Sequence, residues 1–261
     1  MVRGYRAHGF GGPIGPLLVP VVVGAYGPTI AAVVTTGLGA GWKSVWVLLG
    51  RYLNFRAPPF WYLVAILTPC LTGFAAILLA KTRGVEVGAF SLKAAALVPM
   101  AFVAGLPFGP LAEELGWRGF ALPRLARQGT LIRAALIVGV AWTFWHLPLY
   151  WAPAGTGISG EHPGLADVAF YLVEVTCLSF LFAWVARHSA DNLVLAILLH
   201  LSVIANLPGL FFAGLEPVPG IGFSPLARQV AEIGVIPLGV LVLAIVVIEG
   251  RVWWRRGEGA E

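Results

Sequence analysis

The feature that most constrains this chain is a succession of long segments almost free of charge. Seven stretches read as membrane spans: Leu17–Leu38, Phe60–Ala80, Ala94–Ala112, Ala134–Trp151, Val168–Ala186, Leu193–Phe212 and Ile233–Ile248. Most approach the ~20 apolar residues that a helix needs to cross the hydrocarbon core. Backbone N–H and C=O groups in lipid must bond within their own segment, so helix is the economical solution. Charged residues make up 11% of the 261 residues, against about 25% in soluble domains. The composition therefore predicts an all-α, polytopic transmembrane bundle of about seven to eight spans, a single integral-membrane domain over residues 1–261. Pro20, Pro28, Pro69, Pro107, Pro208 and Pro237 lie in these spans and predict local kinks.

The excess of 17 Lys and Arg over 12 Asp and Glu fits basic membrane-flanking loops, not nucleic-acid binding. With Arg118–Arg133 on the cytoplasmic side and alternating spans, eleven basic residues fall on that side and six on the other. That asymmetry predicts a cytoplasmic C-terminus, which ends in the interfacial sequence RVWWRR. The connection from Pro148 to Asp167 has no Lys or Arg, as an outside loop should. Residues 41–55, GWKSVWVLLGRYLNF, mix apolar and basic positions at helical spacing and predict a helix lying along the interface. The N-terminal MVRGYR precedes an apolar run too long for a cleaved signal, so a retained first span is expected. Cys70 and Cys177 sit in apolar runs and read as packed hydrophobes.

Against this background the ionisable residues at bilayer depth are few: Glu113, Glu114, His146, Glu174 and His200, with Asn206 a weaker polar member. Each costs roughly 2.5–3.5 kcal/mol or more, so each is a functional hypothesis. Glu113, Glu114 and Arg118 follow nineteen residues without Asp, Glu, Lys or Arg, Ala94–Ala112. On a helix Glu114 and Arg118 are i,i+4 partners, while Glu113 projects about 100° away, free for another. The plain alternative is a helix-end ion pair. His146, in AWTFWHLPLYW, has an aromatic-belt alternative; for His200, eight residues into an uncharged run, the alternative is a structural hydrogen bond to a neighbouring helix. Glu174 reads as a partner for a His, with cavity lining as its alternative. His8, His162 and His188 read as solvated. A Glu pair and two buried His on three helices suit one chemistry well. A carboxylate can deprotonate water, one His can shuttle the proton, and the other can stabilise an oxyanion. The same set could hold zinc through His, His and Glu; the motif H-E-x-x-H is absent.

EELGWRG, then WTFWH, then LLHLSVIAN together resemble the CPBP family of intramembrane proteases, which includes the type II CAAX prenyl endopeptidases and the abortive-infection and bacteriocin-processing proteins. The first motif, EExxxR, matches in full with Glu113, Glu114 and Arg118. In the second, Trp142 stands where Phe is commonest, four before His146. In the third, His200 matches but Ile204 holds the position of an Asn, and the nearest Asn is Asn206. On a regular helix Asn206 lies about 120° off the face of His200, and a distortion at Pro208 would be needed to return it; otherwise Ser202 or a backbone group substitutes. The similarity covers about residues 27–210. It implies an intramembrane endopeptidase acting on a peptide or protein substrate, prenylated or otherwise membrane-anchored. Glu113 and His146 would activate water, His200 and Asn206 would stabilise the oxyanion, and Glu114 and Arg118 would support them. A metal, if used, would be zinc on Glu113, His146 and His200. The displaced Asn keeps open an inactive scaffold or immunity protein of the same fold. A proton-coupled transporter is the remaining reading, against which the lack of inverted repeats counts.

Overall fold

In the computed structural model, residues 23–92, 96, 98–107, 109–150, 164–205, 207–212, 215 and 225–255 are described. Their helices are α1 (Gly27–Ala40), α2 (Trp42–Gly50), α3 (Pro59–Thr82), α4 (Val98–Gly105), α5 (Pro110–Glu114), α6 (Leu122–Gln128), α7 (Leu131–Tyr150), α8 (Leu165–His188), α9 (Leu193–Ile204), α10 (Leu207–Leu210), α11 (Pro225–Ile248) and α12 (Gly250–Trp254). A 3₁₀ turn, Arg51–Leu53, follows α2, and a π-helical segment, Leu115–Ala121, joins α5 to α6. Five stretches are long and apolar enough to cross a membrane: Pro59–Thr82, Leu131–Pro148, Leu165–His188, Leu193–Leu210 and Leu226–Ile248. Their outer faces stay bare of protein, as Leu63, Leu71 and Leu78 on α3 and Val240, Leu243 and Val247 on α11 show. The chain is an integral membrane protein of all-α architecture.

Two expected spans are broken. Ala94–Ala112 is not one helix: α4 stops at Gly105 and α5 starts afresh at Pro110. Pro107 and Pro110 explain this, because proline lacks a donor and pushes the residue before it out of the helical region. Likewise α9 stops at Ile204, and the short α10 contains Pro208. The last span starts earlier than expected, at Pro225, so that Arg228 and Glu232 lie on α11. Leu17–Val22, Trp151, Asn206, His8 and His162 lie outside the described residues.

The helices meet closely where glycine allows it. A Cβ on Gly139 of α7 would stand 2.8 Å from the Thr176 Cα of α8, so the two backbones touch as small-residue interfaces in membranes do. A Cβ on Gly116 would stand 2.4 Å from the carbonyl of Pro28, so α1 lies directly against the π-helical segment. The core between α7, α8 and α9 contains Trp142, Phe182, Leu195 and Leu199. Helix α2 exposes Trp42, Trp46 and Val47 while burying Val45 and Leu48, a face suited to the interface.

One end of the bundle is tied by polar contacts. The Asn192 amide donates to the carbonyls of Asn54 and Arg56 at 3.0 and 3.3 Å. His188 is not merely solvated: it bonds Glu249 at 2.9 Å and stacks on Trp61 at 5.1 Å. Trp184 donates to the same carboxylate at 2.9 Å. The start of α3 and the ends of α8 and α11 therefore share this end, with Arg56, Arg187 and Arg251 beside them.

Candidate active site

The break at Pro107–Pro110 delivers Glu113 and Glu114 into the core at the end of a five-residue helix. Both carboxylates are buried, at 4% and 0% exposure, as are Arg118 (2%), His146 (8%) and His200 (5%). Groups so costly to bury must answer one another, and they do so in part: Glu114 Oε2 and the Nε and Nη2 of Arg118 have no hydrogen-bond partner among the described residues. Glu114 Oε1 accepts from Arg118 Nη1 at 2.9 Å and from His200 Nδ1 at 2.7 Å. The Arg118 guanidinium lies between two rings, 4.1 Å from Trp142 and 3.9 Å from Phe182. Such a flanked, paired cation is held in position as well as in charge.

Trp142 connects the rest. Its indole N–H donates to Glu113 Oε2 at 2.6 Å. Its carbonyl accepts from His146 Nδ1 at 2.8 Å. A carbonyl can only accept, so Nδ1 of His146 carries the hydrogen and the neutral ring leaves a lone pair on Nε2. His200 is oriented the same way by the Glu114 carboxylate, with Nε2 turned away from the ion pair. That Nε2 and Glu113 Oε1 face one spot: a Cβ on Gly109 would lie 3.2 Å from the first and 3.8 Å from the second. Glycine at 109 thus keeps a side chain from crowding Glu113 and His200.

His146, Trp142 and His200 also line a cavity of about 310 Å³ between α3, α8, α9 and α11. Ser202 and Ile204 line it too, Ile204 at the position where the family resemblance implies an Asn. Glu174 lines it as well and has no hydrogen-bond or ion-pair partner among the described residues, so the expected pairing with a His is not formed. At its mouth Arg228 bonds Asp167 and, at 3.2 Å, Glu232.

Three positioning residues escaped the sequence reading. Arg51 donates to the carbonyls of Gly119 and Asp191, clipping the π-helical segment to the turn that leads into α9. Burial lowers its guanidinium pKa and raises that of the Asp191 carboxyl beside it. Tyr52, whose phenol burial also pushes up, donates to the Leu111 carbonyl at 2.7 Å. Gly109 is the third; nothing short of the fold marks it. Glu113, His146 and His200 offer atoms of the right chemistry for zinc. Among the described residues, however, no three His, Cys, Asp or Glu side chains stand close enough together to hold an ion, so no step is derived through a metal.

Residues 94–207 match the family described as type II CAAX prenyl endopeptidase Rce1-like. The chain is also similar to a CAAX prenyl protease 2 from Methanococcus maripaludis, at 25% identity over 109 residues, or 42% of this chain. The match spans 40% of that relative's length. Over these residues the chain is similar to CAAX proteases, and the segment contains Glu113, Glu114, Arg118, His146 and His200.

Proposed function

We propose that this protein is an intramembrane endopeptidase that hydrolyses a peptide bond with a water activated by Glu113 and His146. The observation that carries the reading is the convergence of Glu113 Oε1 and His200 Nε2 on the side-chain-free spot at Gly109. A water lodged between these two atoms, clear of the Gly109 backbone, would stand within reach of a carboxylate base. Its oxygen attacks the scissile carbonyl while its proton passes to Glu113. The carbonyl oxygen becomes an oxyanion, which His200 stabilises as an imidazolium, donating from Nε2 while its Nδ1 donates to Glu114, with Arg118 behind that carboxylate holding the pair in place. When the C–N bond breaks, the proton goes to the leaving amine through Glu113 or His146. The free Nε2 lone pair of His146 suits a proton shuttle. Ser202 stands in the cavity as a further hydroxyl donor, whatever part Asn206 takes.

The match to CAAX prenyl endopeptidases makes a C-terminal peptide with a farnesylated cysteine the first substrate to offer, and a membrane-anchored peptide the second. The full chain, reconstituted in lipid nanodiscs, is incubated with both in ¹⁸O-water and the products are weighed. Hydrolysis by water puts one heavy oxygen on the new C-terminal carboxylate. No cleavage of either peptide would favour the inactive scaffold reading instead. The same assay with 1,10-phenanthroline separates the two forms of the chemistry. An unchanged initial rate supports the Glu–His water; a loss restored by zinc makes Glu113, His146 and His200 ligands.

A further inference from the structure

Helix α8 presents one face to the cavity: Asp167, Tyr171, Glu174, Leu178 and Leu181, at spacings of three and four. Asp167 at its mouth is bonded to Arg228, and Glu232 bonds the same arginine. Glu174, two turns deeper, is half-buried where it lines the cavity and has no such partner among the described residues. Its neighbours on that face are apolar, and Tyr171, one turn before it, contacts His146 with ring centroids 5.5 Å apart. A carboxylate at this depth is costly unless a cation answers it. Glu113 and Glu114 each have at least one partner; Glu174 faces the cavity that His146 and His200 also line.

We infer that Glu174 forms a subsite for a basic side chain of the substrate, so that the cavity takes an apolar peptide carrying one Lys or Arg near the bond to be cut. The inference rests on the protease reading for its substrate class, but its ligand chemistry is set by charge complementarity alone. An ammonium group entering an apolar cavity loses its hydration, and a pre-placed carboxylate replaces it. The apolar walls accept the lysine methylenes. A neutral isostere would find the same walls and leave Glu174 unanswered.

The test uses a pair of probes, an apolar octapeptide amide with one central Lys and its twin with norleucine there. Each carries a fluorophore and is titrated against the full chain in nanodiscs, and each is then followed for cleavage by mass spectrometry. The Lys peptide is expected to bind roughly tenfold more tightly than the norleucine peptide. Glu174→Gln should remove the difference by weakening the Lys peptide alone. Glu174→Lys should shift the preference to a Glu-containing peptide. Should the variants fail to fold, the peptide pair on the unmodified chain still decides the matter. Equal binding of the pair, or no binding of either, overturns the inference. A retained Lys preference without cleavage would uphold the subsite while rejecting the protease reading, so the two failures are told apart.

Discussion

At the scale of single residues, the site depends on how few atoms hold Glu113. Its Oε2 takes one hydrogen bond, from Trp142, and its Oε1 is left for chemistry. Trp142→Phe keeps a ring over Arg118 but removes the donor. A hydrogen bond to a charged group contributes about 1.5–3 kcal/mol, so cleavage should fall at least tenfold and the unfolding midpoint should drop as well; a wild-type rate would remove Trp142 from the site. Gly109→Ala places a methyl 3.2 Å from His200 Nε2. It should abolish cleavage without lowering the yield of folded protein, and Gly109→Ser should do no better. The EExxxR residues and both histidines were legible in the sequence, because lipid makes every buried charge conspicuous. Gly109 and the indole N–H of Trp142 were not. Neither is unusual for a membrane helix, and each matters only through a neighbour distant in sequence.

At the scale of elements, the broken helices are what bring the groups together. An unbroken span over Ala94–Ala112 would have carried Glu113 to the membrane end; the restart at Pro110 sets it in the core instead. The prolines announced a kink, but not that the segment would stop and turn, since the direction of the restart is set by contacts with α1 and α9. Two of those contacts can be tested. Gly116→Ala meets the Pro28 carbonyl at 2.4 Å and should destabilise the fold, lowering the thermal midpoint in detergent by several degrees. Arg118→Ala breaks a buried pair, a change of about 3–5 kcal/mol, and leaves the Glu114 carboxylate with His200 as its remaining partner; folded yield and cleavage should fall together. Normal stability of Arg118→Ala would mean that the ion pair is not the keystone described.

At the scale of the whole molecule, the bundle has two unlike ends. Arg56, Arg187 and Arg251 gather where Asn192, His188 and Glu249 tie the helices, and the cavity opens at the other end, beside Asp167 and Arg228. We propose, by the positive-inside rule, that the basic end, with the C-terminus, faces the cytoplasm. With Cys70 and Cys177 replaced by Ala, a cysteine at exposed Leu165 should then react with an impermeant maleimide from outside, and one at exposed Trp254 only after the membrane is opened. The reverse pattern would invert the orientation and put the cavity mouth on the cytoplasmic side. The polytopic architecture was legible from hydropathy alone; the cavity, made by α3, α8, α9 and α11 together, was not. The central claim, that Glu113 is the base that activates water, meets its most direct test in Glu113→Gln. This change keeps the shape and an acceptor for Trp142 but removes the base. The kcat for a verified substrate should fall about 10²–10⁴-fold, with an unfolding midpoint and peptide binding equal to those of the unmodified protein. Cleavage at the unmodified rate by the Gln variant would contradict the account.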